Sequence, residues 1–376
     1  MTAATTKRPI LILTSAFGEG HNAAARNLAT ALRTLDPDRP VEVRDLFAEA
    51  YGRLYKIVQK GYFLFINHCP GLWGAFYKYL DKDKAAPGRV AVYKRGARLL
   101  ARTVAEMRPA VIASTYPGYN HLLDHLHGKT DRPFRTVTVV TDSISINSLW
   151  YSGYSDLFLV PNEETAEVME NAGVPRAKLS VTGFPVPPVF ETLRGRRTVP
   201  GTGHLPKVLF LANPGQKNAT GILKELGSVE GIELSAACGR DEKLRTTLQA
   251  IASRFRKPIK VEGWMPDLPE RLAANHLIVA KAGGATVQEC LAAATPLVMS
   301  QVLPGQEEGN AELLTKADCG CTSTSPKAIA AAVRHAFARG ALVWKTWEAN
   351  ATKTGTPEGA RNAANAVLGE AAFKVD

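Results

Sequence analysis

The chain has 376 residues, five cysteines and a formal net charge of +11. That length exceeds what one hydrophobic core usually organises, so two domains are expected. The cysteines form no regular frame or C-x-x-C pair, which fits a reducing compartment, and the sequence holds no apolar stretch of about 18 residues; a cytoplasmic protein, soluble or peripheral, is expected.

The first apolar run, Pro9 to Leu13, is too short for a signal-peptide core and reads as a strand. Short β-branched runs then alternate with helical patterns, the mark of doubly wound α/β units. Strands are predicted at Ile10 to Thr14, Val41 to Arg44, Ala110 to Ser114, Thr136 to Thr141 and Asp156 to Val160. A stretch rich in Pro and Gly, from Pro185 to Gly203, reads as an interdomain linker. A second series follows at Lys207 to Ala212, Ile232 to Cys238, Ile259 to Glu262, Leu277 to Ala280 and Leu297 to Ser300. The expected division is a Rossmann-like domain over 1–188, a linker over 189–204 and a second Rossmann-like domain over 205–376, whose last helix is free to pack back on the first.

The charge is concentrated. Between Tyr51 and Arg108 stand twelve Lys or Arg against three acids, together with ten of the 28 aromatic residues. This mixture suits an anionic bilayer, where each basic side chain gains roughly 1 kcal/mol and Trp or Tyr rings settle at the headgroup level. A solvated helical face over an aromatic core is the plainer alternative. Nucleic acid is not expected, because no recognised module accompanies the charge.

Three groups of residues carry chemistry. Gly18-x-Gly20-His21 follows the first strand and opens the helix Asn22 to Leu35; the glycines suit a tight turn that packs the helix on its sheet, and the histidine is placed to take a proton from an acceptor hydroxyl or is a buried structural residue. Thr141-Asp142 ends another strand, so Asp142 is a rival base, an orienting partner for His21, or a turn former. The segment Lys281-Ala-Gly-Gly-Ala-Thr-Val-Gln-Glu289 leaves bare N–H groups at Gly283, Gly284, Ala285 and Thr286 at a helix start, which seats a diphosphate. Glu289 is placed for a ribose diol, and Gln306, Glu307 and Asn310 of Pro304-Gly-Gln-Glu-Glu-Gly-Asn310 offer groups for a second polyol. The predicted ligand is a nucleotide-sugar.

With Ser15-Ala-Phe-Gly-Glu-Gly-His21, the two C-terminal motifs resemble glycosyltransferase family 28, and within it the monogalactosyl- and glucosyl-diacylglycerol synthases, over about Pro9 to Leu314 and in family order. The resemblance implies an α/β fold of two Rossmann-like domains facing a cleft (GT-B), with UDP-sugar in the C-terminal half and a lipid acceptor in the N-terminal half. It implies inverting transfer of a hexose to diacylglycerol or another lipid at the inner membrane face, with no cofactor or metal. His21 is then the favoured base, Gly20 is counted among the donor contacts, and Cys238-Gly-Arg240 and Gly263-Trp-Met265 look like nucleotide-side loops. Arg240 would neutralise diphosphate and backbone around Trp264 would read uracil, although Arg240 is equally a surface ion-pair partner. Pro70-Gly-Leu-Trp-Gly-Ala-Phe-Tyr77 resembles the acceptor-side element, so Trp73, Phe76 and Tyr77 are acceptor contacts or helix core.

The chain departs from the family at two places. Asn147 replaces the histidine of a His-x-x-Trp pattern, leaving Trp150 as an acceptor contact, and Asn213-Pro-Gly-Gln-Lys-Asn218 replaces a run of glycines, with Lys217 a substitute source of charge. Asp36-Pro-Asp38 and Asp81-Lys-Asp83 match a metal-binding D-x-D pattern but follow no buried strand, and read as solvated loop acids. Three other readings are an N-acetylglucosamine transferase acting on a polyprenol-linked precursor, a UDP-sugar epimerase, and a non-catalytic UDP-sugar sensor.

Overall fold

A computed structural model describes residues 7–69, 71–74, 93–195, 197–200, 203–216, 218–305 and 307–372. The chain divides into two compact units, one taking residues up to Pro188 and again from Glu358, the other taking Val189–Leu303 and Glu307–Pro357.

In the first unit the elements run β1 (Ile10–Leu13), α1 (Glu19–Leu35), β2 (Val41–Arg44), α2 (Leu46–His68), α3 (Lys94–Met107), β3 (Val111–Ser114), α4 (Gly118–His127), β4 (Arg135–Val139), α5 (Leu149–Ser152), β5 (Leu157–Val160), α6 (Glu163–Asn171) and β6 (Leu179–Val181). The strands pair in parallel in the order β2-β1-β3-β4-β5-β6. β1, Ile-Leu-Ile-Leu, is fully buried, as a central parallel strand must be when helices cover both faces. Its side chains alternate. Ile10 and Ile12 pack with Leu28 and Leu32 of α1, while Leu11 and Leu13 pack with Leu46 and Tyr55 of α2 and Leu100 of α3. α2 is broken at Gly52, whose φ of 49° and ψ of −116° suit a residue without a Cβ.

The second unit continues with α7 (Phe190–Leu193), β7 (Lys207–Leu211), α8 (Ala219–Gly227), β8 (Glu233–Ala237), α9 (Glu242–Ala252), β9 (Lys260–Glu262), α10 (Leu268–Ala274), β10 (Leu277–Lys281), α11 (Gly284–Ala292), β11 (Leu297–Gln301), α12 (Glu308–Lys316), β12 (Gly320–Thr322) and α13 (Pro326–Thr354). Its sheet is parallel in the order β12-β11-β10-β7-β8-β9. β6 and β12 have no counterpart among the predicted strands. Each is three residues long at a sheet edge, too short to show a pattern.

The stretch read as a linker is fastened to the second unit. Phe190 is fully buried. Arg197 donates to the carbonyls of Ala273, Ala293 and Ala294 and to Thr295 Oγ1, at 3.2, 2.6, 2.9 and 2.7 Å. Burial pushes its guanidinium down to about 10, which leaves it charged at neutral pH and bonded to carbonyls at the ends of α10 and α11. Asp36, of the first D-x-D, is occupied by Lys7 and Arg39.

The last helix, α14 (Gly359–Ala372), belongs to the first unit, where Ala360, Ala363, Ala364 and Val367 share a core with Ala25, Leu28, Ala29 and Leu32 of α1. Alanines on both helices permit close approach. Gly359 begins this contact, and a Cβ there would stand 2.1 Å from the Phe184 carbonyl oxygen. Gly359→Ala is therefore expected to cost about 1–3 kcal/mol, a fall of several degrees in the melting midpoint by calorimetry; an unchanged midpoint would show that the turn relaxes freely.

Candidate active site

An open parallel sheet presents ligands at the carboxyl ends of its strands, where the strand order reverses. In the first unit that point lies between β1 and β3. The loop after β1 turns at Gly18, at φ 125°, into α1, and His21 is the third residue of that helix. Thr115, after β3, donates its hydroxyl to the His21 carbonyl at 3.1 Å, and Thr141, after β4, lies 2.9 Å from His21 Nδ1 through Oγ1. The imidazole meets Tyr116 edge-on at 5.4 Å and Trp150 at 5.8 Å. Desolvation pushes its pKa down to about 4, a hydrogen bond with the Thr115 backbone offsetting part of the effect. The ring is neutral at physiological pH. In the tautomer whose Nδ1–H donates to Thr141, Nε2 carries a lone pair and accepts a proton.

The residue holding Nδ1 is thus Thr141, which sequence reasoning passed over in favour of its neighbour. Consecutive residues leaving a strand point apart, and Asp142 instead accepts the indole N–H of Trp150 at 2.8 Å. Trp150 is 1% exposed, so the acceptor role expected for it gives way to a structural one: it walls His21 and holds Asp142. Asn147, buried, accepts the Leu149 N–H at 3.0 Å and shapes the turn into α5 that delivers Trp150.

In the second unit the order reverses between β7 and β10. Gly283 caps α11 with no side chain, so the N–H groups of Gly284, Ala285 and Thr286 meet no capping oxygen from that residue. Lys281 lies against Gly283 and pairs with Glu307 at 2.7 Å. Glu307 is buried, and its other oxygen accepts the Leu303 N–H at 3.1 Å. Both oxygens are engaged, so Glu307 is a strut holding Lys281 beside the helix start, where a sugar contact was expected. Asn310, also buried, donates to the Ala282 carbonyl at 3.2 Å, while among the described residues its Oδ1 has no partner, and neither has the buried Nδ2 of Asn213, after β7. Such groups ask for ligand or water. The Asn213 loop is closed by Gln216, which accepts the Asn213 N–H at 3.2 Å and donates to Ser300 Oγ at 3.3 Å. Glu289 stands partly exposed on α11. After β8 and β9, the Arg240 guanidinium stacks 4.2 Å from the centre of the Trp264 ring, which is 52% exposed. Gln306, Lys217, Phe76 and Tyr77 lie outside the described residues.

Trp73, expected to meet the acceptor, is buried edge-on against Tyr62 at 5.1 Å. Exposed apolar residues of this segment include Leu54, Ile57, Val58, Leu64 and Phe65 of α2 with Leu72, beside exposed Arg53, Lys56 and Lys60. Helical spacing carried this signal, since Tyr55, Gln59, Tyr62 and Ile66 form the inward stripe.

Two doubly wound units, one with a neutral histidine and the other with a bare helix N-terminus at its switch point, define the architecture of nucleotide-sugar enzymes of the GT-B class. Solved structures agree on the fold. MnaA of S. aureus, solved with UDP, superposes at TM-score 0.62 over 94% of both chains with 11% identity, and MurG of Acinetobacter baumannii at 0.59 over 96% of this chain and 99% of that one, also with 11% identity. Residues 21–186 match the family model of monogalactosyldiacylglycerol (MGDG) synthase. The chain is 26% identical to a processive diacylglycerol beta-glucosyltransferase of Staphylococcus saprophyticus over 86% of its length and 83% of that protein's. It is 28% identical to the chloroplastic monogalactosyldiacylglycerol synthase of Spinacia oleracea over 93% and 70%. In sequence the chain is thus similar to monogalactosyldiacylglycerol synthases and to a diacylglycerol glucosyltransferase.

The strut role of Glu307 makes a distinction between two variants. Glu307→Ala leaves the Leu303 N–H buried without an acceptor and is expected to lose about 1–3 kcal/mol in urea unfolding, whereas Glu307→Gln keeps that acceptor and loses less. Equal losses would argue that Lys281 pairing is all that Glu307 supplies.

Proposed function

We propose that the protein transfers a hexose from a UDP-sugar to diacylglycerol, with inversion, as a peripheral enzyme on the cytoplasmic face of the membrane. The observation that carries the reaction is His21, neutral, half-buried and held at Nδ1 by Thr141 at the switch point of the first sheet. The relatives named as diacylglycerol glucosyltransferase and monogalactosyldiacylglycerol synthase support the substrates.

In this mechanism His21 Nε2 takes the proton of the acceptor hydroxyl as its oxygen attacks the anomeric carbon. The bond from that carbon to the diphosphate oxygen breaks on the opposite side, so one displacement inverts the centre, and UDP leaves with the electron pair. The negative charge developing on UDP is met by the N-terminus of α11 and by Lys281. Glu289 would hold the ribose diol, and Asn310 Oδ1 and Asn213 Nδ2 offer an acceptor and a donor to the remaining donor hydroxyls or phosphate. The apolar and basic outer face of α2 would enter the headgroup layer of an anionic bilayer and bring the enzyme to its acceptor.

The primary test is UDP release on anionic vesicles with and without diacylglycerol, offering UDP-glucose, UDP-galactose and UDP-N-acetylglucosamine in turn. Acceptor-dependent release is expected; conversion of one UDP-sugar into another without acceptor would move the assignment to an epimerase. His21→Gln is expected to lower transfer by about 10²–10⁴-fold with UDP affinity retained. Glu289→Ala should weaken UDP binding by about 10-fold or more in calorimetry, from the loss of one or two hydrogen bonds to a charged group.

The pH profile follows from the sign of the His21 shift. The active form is the unprotonated ring, so the rate rises with pH through the His21 pKa and is then flat. With that pKa near 4, activity at pH 5.5 is expected to stay within about 2-fold of that at pH 7. An acid limb centred near the ordinary histidine value, about 6.5, would contradict a buried base.

A further inference from the structure

We propose that the inner face of α2, through Tyr55 and Gln59 together with Asp45 at its N-cap, positions the loop that carries His21, so that the helix turned toward the bilayer also sets the geometry of the base. This rests on the assignment of His21 above and adds positioning residues that do not touch substrate.

The loop Ser15 to Gly18 leaves β1 with its backbone polar groups unspent by the sheet. α2 supplies their partners. The Ala16 N–H is shared between Tyr55 Oη at 2.8 Å and Asp45 Oδ2 at 3.1 Å, and the Ala16 carbonyl accepts from Gln59 Nε2. Tyr55 donates to Asp45 Oδ2 at 3.0 Å and meets Ser15 Oγ at 2.9 Å, the serine being fully buried. Asp45 Oδ1 accepts the Ala48 N–H at 2.9 Å, which ties the cluster to the start of α2. Burial pushes the Tyr55 phenol up to about 12, so it stays a hydroxyl able to donate and accept at once.

A row of rings connects the same helix face to the imidazole. Tyr55 meets Phe17 edge-on at 5.2 Å, Phe17 stacks on Tyr116 at 6.2 Å, and Tyr116 meets His21 at 5.4 Å. Tyr62, also on α2, braces Phe17 from another side at 5.4 Å. These rings cover part of His21, and desolvation is the main cause of its lowered pKa. The polar and ionisable groups around it are Tyr116 after β3, whose phenol burial holds far above its usual range, Thr141 and Asp142 after β4, Glu19 on α1, paired with Arg26, and Asp45 with Tyr55 on the α2 side. On the opposite side of α2 lie Leu54, Ile57, Val58 and Leu64. One helix therefore meets the lipid and grips the catalytic loop one turn away.

The test follows the His21 imidazole directly by NMR titration of full-length protein with ring-labelled histidines, the His21 signal among the eight histidines being assigned by its loss in His21→Gln. Wild type is expected to titrate below pH 5. In Tyr55→Phe combined with Gln59→Leu the midpoint is expected to rise by about one unit or more toward 6.5 as water reaches the ring. Transfer kcat should fall about 10-fold or more while the donor KM stays within about 2-fold. Tyr55→Phe alone, which keeps the ring against Phe17, is expected to move both quantities less. An unmoved midpoint, whether kcat is kept or falls in step with the folded fraction, overturns the proposal. If His21→Gln keeps full activity while the double variant still shifts the midpoint, the base assignment fails and the positioning role stands.

Discussion

Covering an imidazole at a helix start lowers its affinity for a proton, and in the first unit the side chains around His21 do this. His21 lies in the first turn of α1, where the positive end of the helix disfavours a second positive charge, and burial acts in the same direction. Two strand ends supply polar partners for the ring and its backbone, Thr115 and Thr141, and neither carries a charge. Rings supply the rest. Trp150 is locked by Asp142, and Tyr116 is backed by Phe17. A carboxylate hydrogen-bonded to Nδ1 would instead favour the imidazolium and raise the pKa, so a threonine there keeps the ring unprotonated over the physiological range.

The second unit uses the same topology for the opposite electrostatic task. Both sheets are parallel, both reverse their order beside the first strand of the unit, and both place a helix N-terminus at that point. In the first the helix start, also without a side-chain cap, carries His21 in its first turn. In the second it is left as a glycine pair with Lys281 fixed alongside by Glu307. A cation held by a buried carboxylate is immobile, and its charge is partly balanced before any ligand arrives. In the proposed reaction it would contribute direction more than net charge, leaving the larger share of diphosphate recognition to the N–H groups of α11.

What could be read from the sequence follows the length scale of each signal. Ten strands were legible, the central ones because buried parallel strands are continuous apolar runs and the edge strands β2 and β9 through their β-branched residues, whereas β6 and β12, short strands at the opposite edges, went unread. The glycine pair before α11 and the histidine after Gly18-x-Gly20 were legible because local backbone geometry demands them. Thr141, Tyr55, Gln59 and Asp45 were not. Each acts on a loop at least 29 residues distant in sequence, and no local pattern marks a side chain whose partner lies on another element. Trp73 and Trp150 mislead for a related reason: a tryptophan in a basic, aromatic segment or near a catalytic loop suggests contact with lipid, yet the largest side chain is also the best available filler, and both serve that purpose.

A base with a pKa near 4 is weak, and that has a consequence for the transfer step. It cannot ionise an alcohol in advance; the alcohol must become acidic first. As its oxygen bonds to the anomeric carbon, positive charge grows on that oxygen and its proton becomes acidic enough for a weak base to take. Proton transfer is then late, following most of the bond formation, and the barrier is set chiefly by how well the departing diphosphate is stabilised. On this account His21 contributes by being unprotonated and correctly aimed at every physiological pH, and its aim depends on the loop that α2 holds. Geometry at the first switch point and charge at the second are thereby separate requirements of this mechanism.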